Sequence, residues 1–145
     1  MSIDEGLKWF HEGRMGLENA ETVFTATNSL NATALEGLVR GIERAIKGVA
    51  KAAHVPFERT HGLTALCQDI GVWNILPVEH RWTLNTLDRY GAMVGYPDDL
   101  GYVTFVQSTS PYEAQQIVSA ASSLFDYLEN DAVKPGSVVC WKGMP

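Results

Sequence analysis

At 145 residues, 46% hydrophobic and 19% charged, the chain has the length of one domain and enough apolar material for a core without disulfide or metal staples. A net charge of −6 excludes a protein that coats nucleic acid by bulk attraction. It leaves room for a local basic patch, because 5 of the 11 Lys and Arg residues fall between Arg40 and Arg59. The two cysteines, Cys67 and Cys140, form no CxxC and no disulfide framework; Cys67 sits on an apolar helical stripe and reads as a buried structural thiol. The start "MSIDEGLKWF" is acidic and lacks an apolar signal core, and no run approaches the ~18 apolar residues of a membrane span. A cytoplasmic protein with no membrane partner is expected, in which the sequon Asn31-Ala32-Thr33 carries no meaning.

Helical periodicity dominates from the start. Leu7, Phe10, Leu17, Ala20 and Phe24 recur at helical spacing and predict a long first helix. Gly13 and Gly16 weaken that helix by up to ~1 kcal/mol each relative to Ala, or admit a neighbouring helix at close range. "ATNSLNAT" then reads as a turn, with Thr33 and Glu36 as a capping box opening a second helix. Its apolar side holds Leu35, Leu38, Ile42, Ala45, Ile46, Val49 and Ala53, and Pro56 is expected to stop it.

A short third helix capped by Thr60 carries Leu63, Leu66, Cys67 and Ile70. A fourth, from about Glu79 to before Pro97, buries Leu84, Leu87 and Val94. "PDDLGYVTFVQSTS" is a crossing loop, within which "YVTFV" could be extended. Ser110-Pro111-Tyr112-Glu113 is a capping box with Pro at the first helical position; the helix it opens buries Ala114, Ile117, Ala121, Leu124 and Leu128. The fold class is therefore all-α: an up-and-down antiparallel bundle of about five helices over residues 1–131, followed by a tail at 132–145.

No Gly-rich phosphate loop, HExxH, Cys/His metal spacing or Gly-x-Ser-x-Gly elbow occurs, so no catalytic, cofactor or metal site is assigned. Asp98-Asp99, the nearest thing to paired carboxylates, reads as solvated turn residues.

The informative stretch is "RGIERAIKGVAKAAHVPFERTHGL". At about 100° per residue, Arg40, Arg44, Lys47, Lys51 and His54 share an arc of about 80° opposite the apolar face. Such a stripe is routine as a solvated helix face, and Glu43 to Lys47 has the favourable i,i+4 order. Its sign purity argues the other way. Glu43 is the only acid between Arg40 and His54, whereas a plain solvent face interleaves Glu with Lys. Four fixed cations suit phosphates or an acidic partner. His61 stands close in sequence to the end of the stripe, as a helix-start residue or as an added donor.

These residues resemble the signature of the HEPN-domain family (higher eukaryotes and prokaryotes nucleotide-binding). Glu43, Arg44 and Lys47 match its acidic-basic pair and Lys on the second helix; Thr60, His61 and Leu63 match its Thr-His-x-Leu step. Tyr96-Pro97 in "LDRYGAMVGYPDD" is similar to its Arg-Tyr-Pro step, and "SPYEAQQIVSAASSLFDYLE" to its closing helix. The first helix, with Trp9 and "GLENAETVF", fits as well, so the likeness covers roughly residues 5–130. It implies a compact dimerising bundle, nucleotide or RNA binding, and often a small nucleotidyltransferase partner. Many family members are metal-independent ribonucleases, toxins among them, that use an Arg followed after four to six residues by a His.

None of the four histidines, His11, His54, His61 and His80, has an Arg at that spacing, and Gly95 replaces the Arg of the Arg-Tyr-Pro step. The expectation is a non-catalytic nucleotide- or RNA-binding module contacting phosphates through Arg40, Arg44, Lys47 and Lys51, with Glu43, His61 and Tyr96 orienting. Two alternatives stand beside it: a ribonuclease toxin with a displaced site built on His61, and a structural dimer or adaptor for an acidic protein.

Overall fold

The computed structural model describes residues 3–57, 62–94 and 109–133. Among them are five α-helices: α1 (Ile3–Thr27), α2 (Ala32–Ala52), α3 (Leu63–Ile70), α4 (Val78–Val94) and α5 (Pro111–Tyr127). A 3-10 turn at Trp73–Ile75 precedes α4, and a π-helical turn at Leu128–Val133 continues α5. The architecture is the expected all-α bundle.

Periodicity located the buried faces well. Every apolar residue expected to face inward on α2, α3 and α5 is buried; on α1, Phe10, Leu17 and Ala20 are buried, while Leu7 and Phe24 are half-buried. Leu84 and Leu87 anchor α4; the side chain of Val94 lies outside the described residues. Phe10 and Phe125 meet at 5.9 Å between ring centroids, joining α1 to α5. Each such fully buried Phe, Leu or Ile contributes ~1.5–3 kcal/mol relative to exposure.

The hairpin of α1 and α2 is held by glycines on both helices. A Cβ on Gly48 would stand 2.5 Å from Gly6 O and 2.8 Å from Phe10 N. Gly13 faces Gly41, and Gly16 faces Gly37, at similarly short range. Positions rise on one helix as they fall on the other, so the pair is antiparallel. Only hydrogen side chains permit backbones to approach this closely, and the gain is dispersion contact along both helices.

The helix ends differ from the sequence expectation in three places. The cap of α2 is Asn31, whose Oδ1 accepts from Ala34 N at 2.9 Å. Thr33 lies inside the first turn, so the Thr33/Glu36 capping box is not used. Asn is among the strongest N-caps, and two residues earlier it shortens the turn after α1, where Asn28 takes φ 59°. Gly62, not Thr60, is the N-cap of α3 and has no side-chain cap bond. A carboxylate from α4 replaces it: Asp88 Oδ1 accepts from Leu63 N at 2.6 Å and Oδ2 from Thr64 N at 2.9 Å. Finally, α2 ends before Pro56 is reached. His54, at φ 59°, closes it: His54 N donates to Lys51 O at 3.1 Å and Val55 N to Ala50 O at 2.8 Å. That is a Schellman arrangement with His in the usual place of Gly.

The opening of α5 is as expected. Ser110 Oγ accepts from Glu113 N at 3.2 Å and donates to Glu113 Oε1 at 2.9 Å, with Pro111 at the first position. Just before it, Thr109 is tied to the α1–α2 turn: Leu30 N donates to Thr109 Oγ1 at 2.8 Å, and Thr109 N to Leu30 O at 3.1 Å. Arg14 clasps the far end of α5 through Asp126, at 3.5 Å, and Glu129. The loop with "YVTFV" and the tail at 134–145 lie outside the described residues. No helix among the described residues is long and apolar enough to cross a membrane.

Candidate functional site: a cation–aromatic cluster between the first two helices

Three faces follow one another around α2. Taking Arg40 as zero and about 100° per residue, the cations centre near 0°, Gly37, Gly41 and Gly48 near about 80°, and the core face near about 190°. The middle face is where α1 lies, backbone against backbone. A helix brought that close reaches past its own contact line. Side chains of α1 next to the glycines therefore extend over the cations.

Trp9 is one such side chain. Lys51 Nζ sits 3.5 Å from the centre of its ring and Arg44 Cζ 4.8 Å from it. Two turns of α2 separate these residues, a rise of about 10.5 Å, so the indole bridges the length between them. Phe57, beyond the end of α2, adds a second ring at 5.9 Å from Lys47 Nζ and 6.0 Å from Lys51 Nζ. Cations held over aromatic faces gain ~0.5–2 kcal/mol each, more as water is excluded.

Carboxylates enter the same cluster. Arg44 donates to Glu12 Oε2 from Nε at 2.8 Å and from Nη2 at 2.5 Å. Lys47 stands 3.8 Å from Glu43, and Arg40 2.5 Å from Glu36. The sign purity seen along α2 is thus broken in space by Glu12, which comes from another helix. Three cations, Arg44, Lys47 and Lys51, against Glu12 and Glu43 leave one net positive charge at the cluster.

Of the sequence candidates, Arg44, Lys47 and Lys51 are brought together, and Glu43 joins them through Lys47. Arg40 stands apart, its side chain 76% exposed, against 20% for Lys47. His61 and Tyr96 lie outside the described residues, as do Thr60 and Pro97. Trp9, Glu12 and Phe57 belong to the site and were not singled out for it by sequence reasoning. The available signal was the glycine spacing: small residues at 6, 13 and 16 and at 37, 41 and 48 mark a close helix pair, and fix what borders α2.

Two further titratable groups, Cys67 and Tyr90, lie away from the cluster. Burial, with a smaller contribution from the nearby Asp88 charge, pushes the Cys67 thiol up to about 12, which makes it inert at neutral pH. Tyr90 donates to Glu113 Oε2 at 3.0 Å, and its pKa is raised first by burial and then by that carboxylate.

The family model described as HEPN domain matches residues 8–131, which takes in Trp9, Glu12 and the whole of α2. No curated protein and no solved structure matches the chain.

Proposed function

This chain belongs to the HEPN-domain family, and on that premise we propose that it is a non-catalytic nucleotide- or RNA-binding module whose contact face is the Arg44–Lys47–Lys51 cluster on Trp9 and Phe57. The observation that carries the reading is the pairing of one indole ring with two cations, Lys51 at 3.5 Å and Arg44 at 4.8 Å. Nucleotide ligands combine a π-face with an anion, and sites that take them combine aromatic rings with Lys and Arg. The ion pairs to Glu12 and Glu43 do not block it. The exposed pair of Arg44 with Glu12 is worth ~0–1 kcal/mol, so a phosphate can exchange with that carboxylate at modest cost.

A second reading draws on a specific observation as well. Arg40, exposed and standing apart from the aromatic cluster, extends the cationic surface. An acidic protein partner, a small nucleotidyltransferase among them, would use that edge, and a homodimer would present it twice.

The test is fluorescence anisotropy of labelled single-stranded RNA with the metal-free protein, followed by a gel of the same sample. The expected result is salt-sensitive binding of intact RNA, lost in the Arg44→Ala/Lys47→Ala variant. Cleaved RNA would replace the binding module with a ribonuclease. Absence of RNA binding, with partner capture weakened by Lys47→Glu, would favour the adaptor.

A further inference from the structure

We infer that the cluster selects a terminal phosphate, a phosphate monoester at the end of a nucleotide or RNA, over the internal phosphodiesters of a strand. This deepens the binding reading above and rests on it. A protein that follows a nucleic-acid backbone needs an unbroken cationic track. Along α2 that track is interrupted at three of its four cations: Glu36 holds Arg40 at 2.5 Å, Glu12 holds Arg44 at 2.5 and 2.8 Å, and Glu43 stands 3.8 Å from Lys47. A strand laid along the helix would meet a carboxylate beside each of these cations.

A single terminal phosphate meets different conditions. At Arg44 the fork of Nε and Nη2 converges on one oxygen, Oε2 of Glu12, so a carboxylate already occupies the position an anionic ligand would take. To enter, the ligand must displace Glu12 and remain beside it. A diester carries one negative charge, so the exchange gains no charge and leaves Glu12 unpaired next to an anion. A monoester carries about −1.5 to −2 at pH 7 and three terminal oxygens. It replaces the Glu12 contact at Arg44 and has charge remaining for Lys51, which also lies over the Trp9 ring. Glu12 is therefore the selecting group: it raises the threshold for every anion, and the more highly charged ones exceed it most readily.

The experiment compares three RNAs of one sequence, labelled internally, bearing a 5′-phosphate, a 3′-phosphate, or hydroxyls at both ends. Each is titrated with the wild type and with Glu12→Gln, which keeps shape and removes charge. The wild type is expected to bind a phosphorylated end up to about fivefold more tightly than the hydroxyl-ended strand, the value of one further exposed charge pair. Glu12→Gln strengthens the hydroxyl-ended RNA and narrows that ratio. Preference for one end alone identifies which monoester the site takes. Equal binding of all three by the wild type overturns the inference and leaves the binding reading intact. Discrimination that Glu12→Gln leaves unchanged overturns the role of Glu12, and no binding of any strand removes the binding reading together with the inference.

Discussion

Replacing Gly41 and Gly37, one turn apart on α2, with alanine should shift stability in opposite directions. A Cβ on Gly41 would collide with the carbonyl oxygen of Gly13 and stand 3.3 Å from Gly16 Cα. Both obstacles are backbone, so relief requires α1 and α2 to separate along their length. Overpacking of this kind costs ~1–3 kcal/mol. Alanine returns up to ~1 kcal/mol of helix propensity, leaving a net loss of up to ~2 kcal/mol for Gly41→Ala. A Cβ on Gly37 meets nothing within 4 Å. Gly37→Ala therefore keeps its propensity gain, ~0.5–1 kcal/mol. Urea unfolding followed by far-ultraviolet circular dichroism measures both. At about 2–4 °C per kcal/mol for a chain of this size, the two variants should melt on opposite sides of the wild type. If both stabilise, or both destabilise, the account of the hairpin as a backbone-to-backbone contact is wrong.

Other outcomes follow from single features. His54→Gly removes a left-handed backbone strain of ~1–2 kcal/mol, partly offset by the added freedom of glycine in the unfolded chain, and should stabilise by up to ~1 kcal/mol in the same urea assay. Asp88→Ala leaves the N–H groups of Leu63 and Thr64 without their cap and should cost ~1–2 kcal/mol, with hydrogen exchange rising first in α3. The Cys67 thiol is raised from 9.0 to about 12 in the folded state, so above pH 9 the unfolded chain loses its proton first. Stability from this group is fully present below pH 9 and falls by up to ~1.4 kcal/mol per pH unit between 9 and 12. Tyr90 contributes a slope of the same sign, so the Cys67 component is read as the difference between wild type and Cys67→Ala.

The bundle was legible because its signal is repeated. Each helix places three to seven apolar residues on one face, and a single misread position does not change the answer. Caps are decided by one or two residues, where Asn31 competes with Thr33 and a distant Asp88 replaces a local hydroxyl. The α3 cap was not legible at all, since Leu63 and Asp88 are 25 positions apart and only the folded chain joins them. The site divides similarly. A one-helix projection found Arg44, Lys47 and Lys51 because they share a face of α2. It could not place Glu12 or Trp9, which reach that face only through the glycine contact of α1. The consequence is chemical: a stripe that looked purely basic is nearly balanced by neighbouring acids.

The most direct measurement of the central claim is a proton–nitrogen correlation spectrum of the 145-residue protein titrated with single-stranded RNA bearing a terminal phosphate. The Trp9 indole resonance can be assigned from Trp9→Phe. If the cluster is the contact face, this resonance and the backbone amides of Arg44, Lys47 and Lys51 move together and saturate at one ligand concentration. Shifts confined to α4 or α5, or a Trp9 indole that stays in place while RNA binds, would contradict it.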